Sequence, residues 1–184
     1  MKALVLMMAA ATFAVSANHG SHDHHDSAGH AAHEHGHGQL NLVLDGNLLL
    51  LELSAPAADL IGFEHAAQNE DEKARMAQAM DRLKQAETLF VLAPGAGCTL
   101  AQQEIKAGHD EHDHDGDHHH DEADDHADVA ASYSFTCTQP DALKGIRVNL
   151  FSHYPSLGKL TVQGLIPGGQ LAGELTPSNP TLEW

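Results

Sequence analysis

Positive charge is scarce in this sequence. Nine Lys and Arg stand against 26 Asp and Glu, a formal charge of −17 with histidine neutral. Such a surface repels nucleic acid and anionic lipid, and it concentrates cations. Long apolar runs are scarce too. The only candidate, Ala3 to Val15 in the opening MKALVLMMAAATFAVSA, falls short of the ~18 residues expected of a membrane span. No Gly-rich phosphate loop sits between a strand and a helix, which argues against nucleotide binding. No Ser/His or Cys/His pair has the scaffold that nucleophilic catalysis needs.

Cysteine occurs only twice, as Cys98 and Cys137. Neither belongs to a C-x-x-C pair, and each lies in a stretch with strand character, CTLAQQEIKA and ASYSFTC. A disulfide between them would close a long loop and remove about 3–4 kcal/mol of unfolded-state entropy. Two zinc thiolates are the alternative, disfavoured by the missing C-x-x-C spacing. The opening segment bears on the choice. Lys2 supplies a positive start, an apolar stretch follows, and Val15-Ser16-Ala17 ends it with small residues. Residues 1–17 therefore read as a secretory signal, and export implies an oxidising compartment, with no stable membrane insertion.

What is abundant is histidine, and its placement matters more than its number. Of 17, eight lie from His19 to His37 and seven from His109 to His126, so only His65 and His153 stand apart. Residues 18–32, NHGSHDHHDSAGHAA, hold no apolar side chain larger than alanine and are expected to form a disordered tail. Residues 33–184 read as a single domain. Within it, residues 108–125 form a His/Asp-rich loop too long to be structureless without a task.

From Gln39 the pattern changes to strand period, with Leu40, Leu42 and Leu44 alternating with polar neighbours; Asp45-Gly46 then signals a hairpin into NLLLLELSA. Asn69 with Glu72 predicts a capped helix whose stripe Met76, Met80, Leu83 and Phe90 faces a sheet. Further strands are expected around Cys98, over ASYSFTC with Tyr133, Phe135 and Cys137 on one face, along GIRVNLFSHYP, and in LGKLTVQGLI and QLAGELT across a Pro167-Gly168-Gly169 turn. Short turns between consecutive strands imply an antiparallel sheet. The expected class is α+β: a mainly antiparallel sheet, open or folded into a sandwich, carrying one principal helix.

Residues 33–37, HEHGH, match the H-E-x-x-H pattern that places two zinc ligands and a general base on one helix face. Gly36 and Gly38 are costly in a helix and strand period starts at Gln39, so a zinc hydrolase with Glu34 as base is the poorer reading. In an extended chain His33, His35 and His37 would leave one side, opposite Leu40, Leu42 and Leu44, and could share an ion. Neutral imidazole suits Zn²⁺, and also Ni²⁺ and Cu²⁺. GFEH at 62–65 adds His65 and Glu64, and HAD at 126–128 adds His126 and Asp128 where a strand begins. His109, His112, His114, His118, His119 and His120, among acids, would bind several ions weakly and exchange them quickly. Binding should fall as pH drops through the ordinary imidazole range near ~6.5, because ligands must be deprotonated. His153, in FSHYP, reads as a surface residue.

These residues resemble a known family. HEHGHGQLNLVLDGNLLLLEL, P-x-x-x-x-x-GFEH, LF-x-L with a following cysteine, the His/Asp tract, HADVAASYSFTC, NLFSHYP and VQGLIPGGQ are similar, in order, to the ZrgA-like zinc-regulated periplasmic proteins. Tyr154 departs from the phenylalanine expected there. The resemblance implies zinc binding in bacterial zinc acquisition, alongside the solute-binding protein of a zinc ABC importer. It supports His35, His37, His65 and His126 as metal positions. A nickel or copper buffering protein, and an interaction module in which metal is incidental, are the competing expectations.

Overall fold

The computed structural model describes residues 34–107 and 128–184. Strands β1 (His37–Asp45) and β2 (Leu48–Pro56) form the expected hairpin, with Asp45 opposite Leu48. Leu40, Leu42 and Leu44 of β1 and Leu49, Leu51 and Leu53 of β2 are buried, while Gln39, Asn41 and Glu52 face outward. Period-two alternation thus puts one side of the pair in the core.

Helix α1 (Ala57–Leu60) follows β2 directly, and α2 (Glu70–Leu83) begins at the predicted cap. Asn69 Oδ1 accepts the Glu72 amide at 2.9 Å. The Glu72 carboxylate, however, accepts the Gln68 amide at 2.7 Å, one residue beyond the Asn69 amide that a capping box would use. The helical stripe stops sooner than expected. Lys84 and Gln85 break the helix, α3 (Ala86–Leu89) is a single turn, and Phe90 opens strand β3 (Phe90–Leu92). Of the stripe Leu83 and Phe90 are fully buried, Phe90 from β3 and not from the helix; Met76 and Met80 pack at the edge of the core.

Strands β4 (Cys98–Ala107) and β5 (Asp128–Cys137) pair antiparallel, with Cys98 opposite Cys137 and the two joined in a disulfide. The stretch expected as one strand at 145–155 is instead β6 (Gly145–Val148) followed by α4 (Leu150–His153). Half-exposed His153 ends that helix. Strands β7 (Lys159–Ile166) and β8 (Gly169–Leu175) make the second predicted hairpin, and β9 (Thr181–Glu183) comes last.

Six strands form one sheet in the order β4-β5-β2-β1-β7-β8; the other three form a small sheet, β3-β6-β9. All pairings are antiparallel except β1 with β7, which run parallel. The expectation of neighbouring strands joined by turns fails there, because the β1–β7 pairing spans most of the chain. The class is α+β as expected, with α2 and the small sheet on one side of the large sheet. Tyr133, on β5, donates to the Leu83 carbonyl at 2.8 Å, and Tyr154 donates to the Ala79 carbonyl at 3.0 Å. The Phe90 ring lies 5.0 Å from that of Tyr133, so the small sheet joins the same core.

The register also fixes which segments meet. His37 lies opposite Lys159, Gln39 opposite Ser54, Pro56 opposite Asp128 and Ala107 opposite Val129. The starts of β1, β5 and β7 and the ends of β2 and β4 therefore share one end of the large sheet. That end carries the HEHGH segment, the GFEH corner and both described borders of the His/Asp tract.

Candidate metal centre

Residues 34–36, just before β1, are neither helix nor extended strand. The His37 amide donates to the Glu34 carbonyl at 3.1 Å, closing a turn, and Gly36 takes φ +79°, a conformation that disfavours any residue with a Cβ. The H-E-x-x-H match therefore lacks the helix that a hydrolase of that type requires. The turn also overturns the expectation of an extended chain for His35 and His37; His33 lies outside the described residues. Strand alternation begins only at His37, and His35 and His37 meet different partners.

The turn is held on two sides. The Gly36 carbonyl accepts from the Gly158 and Lys159 amides at 2.8 and 2.9 Å, fastening it to the start of β7. On the other side the Gly36 amide donates to Asp59 Oδ2 at 2.6 Å. Asp59, on α1, is the one buried charged residue among those described, 7% exposed. Burial pushes its carboxyl above the ordinary range, opposed by the Gly36 amide and the nearby His35 and reinforced by Glu64. Sequence reasoning missed Asp59. The available signal was a lone acid in the apolar run APAADLIGF.

His35 Nδ1 stands 3.5 Å from Glu64 Oε1, the imidazole largely open to solvent and the carboxylate mostly covered. His37 lies on the outward face of β1. Its Nε2 is 2.7 Å from Thr161 Oγ1 on β7, and its Nδ1 is 3.4 Å from Glu34 Oε2. His65 turns toward α2: Nδ1 meets the Ala66 carbonyl at 3.0 Å and lies 3.9 Å from Glu72 Oε2. Its ring stacks on Phe63 at 5.0 Å, and the Arg75 guanidinium sits over Phe63 at 5.6 Å. Asp128 opens β5 opposite Pro56, the residue preceding α1.

The structure thus brings His35, Glu64 and Asp59 together, and places His37, His65 and Asp128 around the same end of the sheet on partners of their own. His33, His109, His112, His114, His118, His119, His120 and His126 lie outside the described residues. Among the described residues no three His, Cys, Asp or Glu side chains converge closely enough to hold a metal ion. Cys98 and Cys137 are joined to each other, so neither is a zinc thiolate. No helix among the described residues is long and apolar enough to cross a membrane.

What this arrangement offers a divalent cation is a set of imidazoles on a fixed turn and corner, with carboxylates against their ring nitrogens. Metal-ligating histidines commonly carry such a carboxylate or carbonyl partner, which fixes the ring and raises ligand basicity. No curated protein matches the chain. Residues 32–184 match the family model described as ZrgA family zinc uptake protein, a span that includes every described residue, and the chain belongs to that family.

Proposed function

We propose that this chain is a periplasmic zinc-binding accessory protein of bacterial zinc uptake. It captures Zn²⁺ at an ordered site on the histidine end of the sheet, built from the HEHGH segment, His65 and His126, with Glu64 and Asp128 alongside. It captures further ions at the His/Asp tract of residues 108–125. It then passes zinc to the solute-binding protein of a zinc ABC importer. Residues 1–17 direct export, residues 18–32 form a histidine-rich lead-in, and residues 33–184 are the zinc-binding domain. The family is a zinc uptake family and not an enzyme family, and its cargo is the ion itself.

The observation that carries the reading is the meeting of His35 with Glu64 beside the turn that Asp59 and β7 hold in place. A rigid mount lowers the ordering cost of ligation, which a free peptide would bear in full. The net charge of −17 draws cations in, and the disulfide suits an oxidising compartment. A weak, redundant His/Asp tract releases ions readily, which suits hand-over better than storage.

Zinc titration of the mature chain, with and without residues 109–125, tests this. A tight, submicromolar phase at neutral pH should survive the deletion while the weak, multi-ion phase disappears. Loss of both phases together would mean a single kind of site. Absence of any tight phase in the intact chain would end the reading. Transfer is checked by mixing the zinc-loaded protein with the importer's solute-binding protein and following which of the two retains metal.

A further inference from the structure

The three described histidines at the sheet end are not equivalent, and the difference lies in which ring nitrogen is already engaged. A carbonyl or carboxylate oxygen can only accept a hydrogen bond, so a ring nitrogen facing one carries the proton in the neutral imidazole. Nδ1 of His65 faces the Ala66 carbonyl, Nδ1 of His35 faces Glu64, and Nδ1 of His37 faces Glu34. These contacts favour the neutral form protonated at Nδ1, through a hydrogen bond in His65 and His37 and through a carboxylate 3.5 Å away in His35, and leave the lone pair on Nε2. In His37 that lone pair is occupied, because Thr161 Oγ1 lies 2.7 Å from Nε2 and its hydroxyl can donate. Among the described residues nothing meets Nε2 of His35 or His65, and both rings are substantially exposed.

We propose that His35 and His65 bind zinc through Nε2, and that His37 is a latch fastening the histidine turn to β7 through Thr161. This rests on the zinc-capture reading above and narrows its ligand set. The latch is well placed for that task. It sits at the first residue of β1, where the parallel β1–β7 pairing begins, next to the Gly36 carbonyl that takes both the Gly158 and Lys159 amides. To ligate through Nε2, His37 would have to release Thr161 and loosen the turn that presents His35. His35 and His65 can take a cation with their Nδ1 partners still in place, the arrangement in which outer oxygens orient a zinc-bound imidazole. Each offers a cation one protein nitrogen, and the remaining coordination positions stay open to other ligands or water, as capture and release require.

The test combines ring-nitrogen NMR with titration of the full mature chain. In the metal-free protein, long-range ¹H–¹⁵N spectra should show His35, His37 and His65 protonated at Nδ1. Zinc should then move the Nε2 resonances of His35 and His65 and leave that of His37 in place. In the tight phase, read against a competing chelator, His35→Gln and His65→Gln should each weaken zinc binding at least tenfold. His37→Gln, which keeps an amide able to bond Thr161 but gives no good zinc ligand, should stay within threefold of the parent. Thr161→Val should lower the thermal midpoint with the same small effect on zinc, and it serves if His37→Gln folds poorly. The proposal is overturned by a tenfold loss in His37→Gln at an unchanged thermal midpoint. Zinc on Nδ1 of His35, or His35→Gln and His65→Gln matching the parent, would also overturn it. If the parent takes up no zinc tightly, the capture reading fails and the ligand assignment with it. The metal-free spectra still decide the latch, since His37 protonated at Nε2 would show that the ring donates to Thr161 and that the lone-pair argument is wrong.

Discussion

On the covered side of the large sheet, Leu40, Leu51, Leu53, Tyr133, Phe135 and Leu160 are shielded from water, and buried hydroxyls there find partners. The two tyrosine hydroxyls, for instance, satisfy carbonyls of α2. Just past the ends of the same strands, at the histidine end, the rules reverse. There His35 and His65 stand in solvent, and the buried group is a carboxylate, Asp59, whose task is to hold a backbone amide. The contrast separates two sources of order. The covered side is ordered by apolar area removed from water, at about 25 cal/mol per Å². The histidine end is ordered by directed hydrogen bonds to Gly36, each modest in net terms at about 1 kcal/mol. A structure built this way can bind and release an ion at one end without disturbing its core.

The sharpest separation of the two regions should come from the disulfide. Replacing Cys98 and Cys137 with serine removes a cross-link 39 residues apart in sequence. It should cost about 4 kcal/mol of stability by loop-closure entropy. Denaturant unfolding measures the cost, and zinc affinity of the folded fraction should be unchanged. A large affinity loss would mean that the far end of β4 and β5 supports the site, and the comparison would break. The tyrosines come next. Burial pushes the Tyr154 hydroxyl up to about 12 and Tyr133 higher still. The unfolded chain loses these protons near ~10, so between there and the folded values the native state binds more protons and stability falls as pH rises. Tyr154→Phe should cost about 1–2 kcal/mol at neutral pH, by removing its buried hydrogen bond to the Ala79 carbonyl, and should flatten the alkaline loss. Urea midpoints at neutral and alkaline pH read both effects.

A milder test lies at the histidine end. Glu64→Gln removes the carboxylate beside Nδ1 of His35 and should weaken tight zinc binding about 10–100-fold, the range typical of outer partners of metal-bound histidines. Thermal stability should barely change. If stability falls while affinity holds, Glu64 belongs to the core and not to the site.

The two regions also differed in how far the sequence betrayed them. Period-two leucines with Asp45-Gly46 marked β1 and β2, Asn69 marked the start of α2, and Cys98 and Cys137 each lay in a strand. All of these are local patterns or residues of narrow purpose. The parallel pairing of β1 with β7 left no local trace, because its partners lie more than a hundred positions apart and either strand alone would fit an antiparallel neighbour. The small sheet was hidden for a similar reason. Phe90 continued the helical spacing of Met76, Met80 and Leu83, and only the break at Lys84 and Gln85 sends it into β3. At the site, His35, Glu64 and His65 were legible as residue types suited to a metal ion. Their partners were not, since Gly36 at φ +79° turns His35 away from His37's side, a matter of backbone conformation. Asp59 was legible only as an anomaly, an acid where the run was otherwise apolar.

The smallest expected effect falls on the boundary between the regions. Asn69 caps α2, whose far end meets the two tyrosines, while Glu72 in its first turn lies near His65. Asn69→Ala leaves the Glu72 amide without its acceptor and should cost about 1 kcal/mol. The Glu72 carboxyl is held below its usual range chiefly by the Gln68 amide, and Asn69 contributes as well. A depressed folded value stabilises the native state above the unfolded 4.5 and loses that contribution as pH falls through the folded one. The variant should therefore show a slightly shallower acid-side loss of stability than the parent, measured by thermal midpoints across that range. Zinc affinity at neutral pH should match the parent's, because the Phe63–His65 stack and the Ala66 carbonyl still hold His65. If affinity instead falls with the cap, His65 takes its position from the helix, and the histidine end is not mechanically separate from the core it borders.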